Sequence, residues 1–150
     1  MPHIRTSVRN AVIARLKTIS GLKLVCSFGR TARSFQTNEI PVAVVRVNEV
    51  TAPVGKVRPR AISRDMSVVI DLIEAADDDV DTYLDDLSAL VEQVLANPSD
   101  LGIGPLTDWR LSSTSSQNFA LGDSVYGSLA LTYAASVSTL EGNPTSNAHK

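Results

Sequence analysis

The strongest pattern in the chain runs from Arg64 to Leu95. Met66, Val68, Ile70 and Leu72 are two residues apart, with Ser67 and Asp71 among the positions between them. A period of two places the apolar set on one face of a strand and the polar set on the other. Beyond an acidic turn, Val80, Leu84, Leu87, Val91 and Val94 recur at steps of four and three, the stripe of an amphipathic helix. A strand, a sharp turn and a helix therefore form one unit that the remaining segments cover.

The same reading extends in both directions. Ile4, Val8, Ala11, Val12, Leu16 and Ile19 form a helical stripe, with Pro2 suited to the first turn and Gly21 to the C-terminal cap. Lys23 to Phe28 predicts a short strand with Leu24, Cys26 and Phe28 on one face, and Gly29 to Asn38 a polar loop. After Pro41, Val42 to Val47 is rich in β-branched residues and predicts a strand covered on much of both faces. Thr51 to Arg60 holds two prolines and a glycine between two good strands, which predicts an extended hairpin arm. Asn97, Pro98, Gly102, Gly104 and Pro105 break the chain after the helix. Thr107 to Ser115 is a weaker strand with Trp109 and Leu111 on one face, Asn118 to Asp123 a turn, and Val125 to Leu140 a second long alternating strand.

The expected order is α-β-β-β-α-β-β. It implies an α/β (α+β) fold with a single, mostly antiparallel or mixed sheet and two main helices packed on one face. Residues 1–140 form the expected domain. Residues 141–150 are small and polar and read as a disordered tail.

Composition narrows the setting. At 150 residues the chain suits one domain with a real core. No run approaches the ~18 apolar residues of a membrane span, which argues against a membrane partner. Met1 to Ile19 carries four basic residues and lacks the unbroken apolar stretch of a secretion signal, so a cytosolic product is expected. The single cysteine, Cys26, excludes an intrachain disulfide and a cysteine metal cluster. Net charge is only −2, but residues 1–73 hold 12 Lys/Arg against 4 Asp/Glu, and residues 74–150 hold 2 against 12. That segregation favours head-to-tail contact between copies, or a different partner on each face. The alternative is two solvated helices of opposite charge.

No catalytic set stands out. His3 and His149 lie at the chain ends, where a catalytic histidine is poorly held. Cys26 shares a strand face with Leu24 and Phe28 and reads as a small buried hydrophobe. Gly102-Ile103-Gly104 runs into Pro105, unlike a phosphate-binding loop. No cofactor is indicated. Asp77, Asp78, Asp79 and Asp81 are the best candidates for a metal, Mg²⁺ or Ca²⁺, but their spacing fits no EF-hand. The plainer reading is one aspartate as helix cap and the others in the first turn, where the helix dipole favours anions.

The basic counterpart is Lys56, Arg58, Arg60 and Arg64, spaced by even numbers so that an extended arm would point them the same way. A row of cations suits phosphate or an acidic protein surface, and the absence of interleaved aromatics argues against base stacking. Arg30 and Arg33 are a further basic pair in the earlier loop. A solubilising hairpin is the competing interpretation.

Several stretches resemble the bacteriophage tail terminator proteins, a family that includes lambda-type minor tail proteins and head–tail-joining or tail-completion relatives. His3-Ile4-Arg5 with Val8, Val12 and Leu16 is similar to their opening helix. Glu39-Ile40-Pro41-Val42-Ala43-Val44-Val45 through Asn48-Glu49 is similar to their aliphatic strand after proline. Arg64 to Ala75 followed by Asp79 to Ala96 resembles their central strand and acidic helix, and Leu106 to Arg110 with Gly127 to Tyr133 their paired last strands. The likeness spans roughly residues 3 to 139 and consists of diffuse hydrophobic patterns.

The resemblance implies a structural virion protein at the head-proximal end of the tail, assembled in the host cytoplasm. It implies a ring, commonly a hexamer, that caps the tail tube, ends tail polymerisation and offers a head–tail joining surface. Its partners would be the tail tube protein, a head-completion or stopper protein, and in transit the genomic DNA in the lumen. No enzymatic activity is implied. The arm from Thr51 to Arg60 would line the pore or touch the tube through Lys56, Arg58 and Arg60, together with Arg64. Two other readings compete: a different neck or head–tail connector protein, and a small nucleic-acid-binding domain using the basic arm.

Overall fold

The computed structural model describes residues 2–27, 36, 38–102 and 106–145. It is an α+β fold with one mixed sheet of five strands and two helices, in the order α-β-β-β-α-β-β. The elements are α1 (Ile4–Leu16), β1 (Leu24–Ser27), β2 (Val42–Val54), β3 (Ala61–Ala75), α2 (Val80–Val94), β4 (Thr107–Leu121) and β5 (Ser124–Leu140), with a 3-10 turn at Pro98–Leu101. The strands lie in the order β1-β2-β3-β5-β4, so the alternating run in β3 is the middle of the sheet. All pairs are antiparallel except β1 with β2, which is parallel.

The period-two residues do what their spacing predicts. Met66, Val68, Ile70 and Leu72 stand beside Ala135, Tyr133, Leu131 and Leu129 of β5, and all eight are buried against the helices. Ile4, Val8, Val12 and Leu16 of α1 and Val80, Leu84, Leu87 and Val91 of α2 close the same core. Burying each such aliphatic side chain is worth about 1.5–3 kcal/mol, which is why two helices of modest length hold to the sheet. Val42 and Val44 of β2 point the other way, into a smaller cluster with Ile40, Ile73 and Tyr126, so β2 is covered on both faces at this end.

Polar contacts fix how the helices sit. Trp109 Nε1 donates to the Leu95 carbonyl at 2.7 Å, and its ring stacks on Tyr133 at 4.9 Å between centroids. The Arg15 guanidinium donates to the Val94 carbonyl, tying α1 to the C-terminus of α2. Close approach at the other end of α2 depends on Gly127: a Cβ there would lie 2.7 Å from Val80 Cγ2.

Several boundaries differ from the sequence expectation. The α1 N-cap is His3, whose Nδ1 accepts from Arg5 N–H, so Pro2 lies before the helix. The helix ends at Leu16 with Lys17 as C-cap, four residues before Gly21. β4 runs on through the serines to Leu121, and only Gly122 and Asp123 form the turn. Residues 141–145, expected as the start of a disordered tail, are held instead: Glu141 bonds Arg60, and the Pro144 carbonyl accepts from Ile4 N–H at 2.8 Å. Residues 146–150 lie outside the described residues.

Candidate interaction surface

Two oppositely charged ends of the sheet are the most distinctive surface features. At one end β2 and β3 pair down to Val54↔Ala61, leaving a loop at residues 55–60. At the other, β3 leads through Glu74 into the exposed aspartates Asp77, Asp78 and Asp79 before α2. Fifteen β3 residues separate the ends, on the order of 50 Å at ~3.3 Å per residue.

The arm is shorter than its sequence suggests, because Thr51 to Val54 pair with Arg64 to Ala61. Residues 55–59 form bends, and the turn starts at Gly55, whose φ of 82° suits glycine. The expected row of four cations therefore does not form. Lys56 and Arg58 are exposed at the tip. Arg60 folds back onto Glu141, with Nη2 donating to Oε1 at 2.9 Å, and that hydrogen bond holds the Glu141 carboxyl below its ordinary range. The pair is locked by its backbone too, Glu141 N–H donating to the Arg60 carbonyl at 2.7 Å.

Arg64 is buried, because its even-numbered position puts it on the helix-covered face of β3. Its Nε donates to Thr139 Oγ1 at 2.9 Å and its Nη1 to Glu49 Oε1 at 3.0 Å. Arg5 donates to the same Glu49 oxygen, so one carboxylate gathers α1, β2 and β3. Arg64 is thus a structural cation and no part of the tip. Arg30 and Arg33 lie outside the described residues.

Sequence reasoning missed the apolar part of the tip. Val57, between the two exposed cations, is 85% exposed. Val54, Ala61 and Leu140 form a row across three strands on the face away from the helices, and Val50 lies on the same face. Val50, Val54 and Leu140 are all exposed. The available signal was parity: Val50 and Val54 share the strand face of Val42 and Val44, whose cover ends before it reaches them.

At the acidic end, Glu74, Asp77, Asp79, Val80 and Tyr83 line an open cavity of about 330 Å³. Two of its three carboxylates serve the backbone: Asp77 Oδ1 accepts from Asp79 N–H at 2.9 Å, and Glu74 Oε1 from Ala75 N–H at 2.8 Å. Asp79 is the N-cap of α2 but makes no side-chain capping bond, and Asp81 sits in the first turn. Among the described residues, no three His, Cys, Asp or Glu side chains come together as a metal-binding group. Cys26 is half-buried in the smaller cluster beside Leu24. No helix among the described residues is long and apolar enough to cross a membrane.

No family model matches the chain, and none of the curated proteins matches it.

Proposed function

We propose that the chain is a structural ring protein of a bacteriophage tail, closing the head-proximal end of the tail tube and presenting the surface to which the head joins. The observation that carries this reading is the bipolar sheet: a tip with Lys56, Val57 and Arg58 exposed at one end, and an acidic helix start at the other. A protein that must meet two different partners along one axis needs two chemically different ends. The α-β-β-β-α-β-β order and the likeness of the opening helix, the Pro41 strand and the central strand–helix unit support the same reading.

In this account the tip touches the tube or faces the lumen through Lys56 and Arg58, and Arg60 and Arg64 hold the hairpin that presents them. The exposed valine between the cations favours a protein surface over nucleic acid, since phosphate binding gains nothing from an apolar side chain. The test is elongation of the tube protein from the same genome. Wild-type chain added during assembly stops growth, whereas Lys56→Glu/Arg58→Glu, folded normally, does not. Growth unaffected by the wild-type chain counts against the reading, and arrest by the reversed variant counts against the tip.

A further inference from the structure

Among the described residues the sheet has two edge strands, β1 and β4, and they are unequal. β4 is an edge strand of 15 residues. Its first part is irregular: the register shifts between Thr107 and Arg110 and again between Leu111 and Ser113, and Asp108 has φ 55°. Such bulges, charges and kinks are the usual protection of an edge against pairing. From Ser113 to Leu121 the protection stops. The ladder to β5 is regular, and the stretch holds no charge, no proline and no bulge.

Which backbone groups are free follows from the hairpin. Gly122 and Asp123 close it, with Leu121 opposite Ser124 and Gly122 at φ 61°. In a two-residue hairpin the flanking pair exchanges both hydrogen bonds, and the pattern then alternates along the ladder. Thr114, Ser116, Asn118 and Ala120 therefore aim their N–H and C=O groups away from β5, at exposed positions.

We propose that this edge takes up a second copy of the chain, which adds its β1 edge to β4 head-to-tail. Direction permits it: β1 runs with β2 and, through three antiparallel pairings, opposite to β4, so a copy keeping its helices on the same face arrives antiparallel. Charge selects it. α1 packs over β1 and β2, and α2 over β3 and β5. The added copy thus brings its α1, which has three arginines and no acidic residue, beside α2, with Asp81, Asp85, Asp86 and Glu92 and no basic one. Arg5 and Arg15 already bond Glu49 and the Val94 carbonyl of their own chain, so the match lies in the opposite net charge of the two helices and not in a set of ready ion pairs. Pairing β4 with β4 of another copy would set two acidic helices side by side. Repetition of a heterologous contact of this kind builds a ring or a filament, not a closed dimer. The inference shares with the proposed function the premise of head-to-tail association but needs no tail tube.

The test is sedimentation velocity over a concentration series at low and high salt. Wild type and the control Ser116→Ala form salt-sensitive species larger than a dimer. Ser116→Pro removes an outward N–H while sparing the β5 ladder, and weakens association at least ~10-fold. Should that variant fail to fold by circular dichroism, Thr114→Lys/Ser116→Lys places two cations where the next α1 must lie and gives the same loss. Assembly by either folded variant equal to that of Ser116→Ala overturns the edge as the interface, and a wild-type species that stops at a dimer overturns the head-to-tail arrangement. A wild type that stays monomeric at all concentrations overturns the inference while leaving capping on a tube template untouched.

Discussion

Glu49 Oε1 lies 3.0 Å from Arg64 Nη1, and both side chains are about nine-tenths buried. The same oxygen accepts from the more exposed Arg5, also at 3.0 Å. Removing one partner of a buried pair strands the other charge away from water, which costs about 3–5 kcal/mol, whereas an exposed partner contributes ~1 kcal/mol or less. Glu49→Ala therefore lowers stability by about 3 kcal/mol in urea unfolding, and Arg5→Ala by under ~1 kcal/mol. Equal losses would place the weight of the network on α1 and not on the hairpin.

Gly127 and Val80 are a second close pair. A methyl group at 127 meets Val80 at 2.7 Å, so β5 or the start of α2 has to shift. Gly127→Ala costs about 1–3 kcal/mol, the usual range for overpacking. Val80→Ala removes the obstructing methyls, so in the double variant the penalty of the alanine at 127 shrinks. Strict additivity in a double-mutant cycle would contradict the contact.

Asp71 gives a dependence on pH. Burial raises its carboxyl pKa, and Arg46, with Nη1 4.0 Å away, offsets this only in part. A carboxyl with a raised folded pKa binds its proton more tightly folded than unfolded. Its contribution is therefore fully favourable below the unfolded value, near 3.8, and is lost as pH rises through the folded one. Asp71→Asn, which cannot ionise, should raise the urea midpoint relative to wild type at pH 7, with the difference fading under acid conditions. A lower midpoint at pH 7 would show that the Arg46 contact outweighs burial.

Tyr133 works at the alkaline end. Burial, with the charge of Glu92 adding to it, pushes its phenol from 10.0 up to about 12. Between those values the unfolded chain releases a proton that the folded chain keeps, so stability falls as pH rises from about 10 to about 12. Unfolding midpoints across that interval should decline in wild type and less steeply in Tyr133→Phe. Parallel declines would assign the effect to other groups.

The fold was legible wherever one residue's neighbours in sequence are also its neighbours on a face. Met66 to Leu72, the α1 stripe and Val80 to Val91 each announce a period and a buried side. β4 was legible only to Ser115, because Ser116, Gln117 and Asn118 carry no strand propensity of their own and are strands through pairing with Leu129, Ser128 and Gly127. The basic row failed for a related reason. Even spacing predicts a common direction only in an extended chain, and residues 55–59 are bent. Arg64 has the parity of Met66 and so faces the helices; what the sequence hides is that Glu49 and Thr139, 15 and 75 positions away, meet its charge there. The exposed valines of the tip were equally hidden, since β-branched residues read as core until the cover over β2 is known.

Electron microscopy of the chain mixed with tail tubes from the same genome tests the central claim most directly. The account predicts a closed ring on one end only of each tube, of about 96 kDa if six copies of 16.0 kDa close it. Bare tube ends, with the chain remaining free in solution, would contradict it.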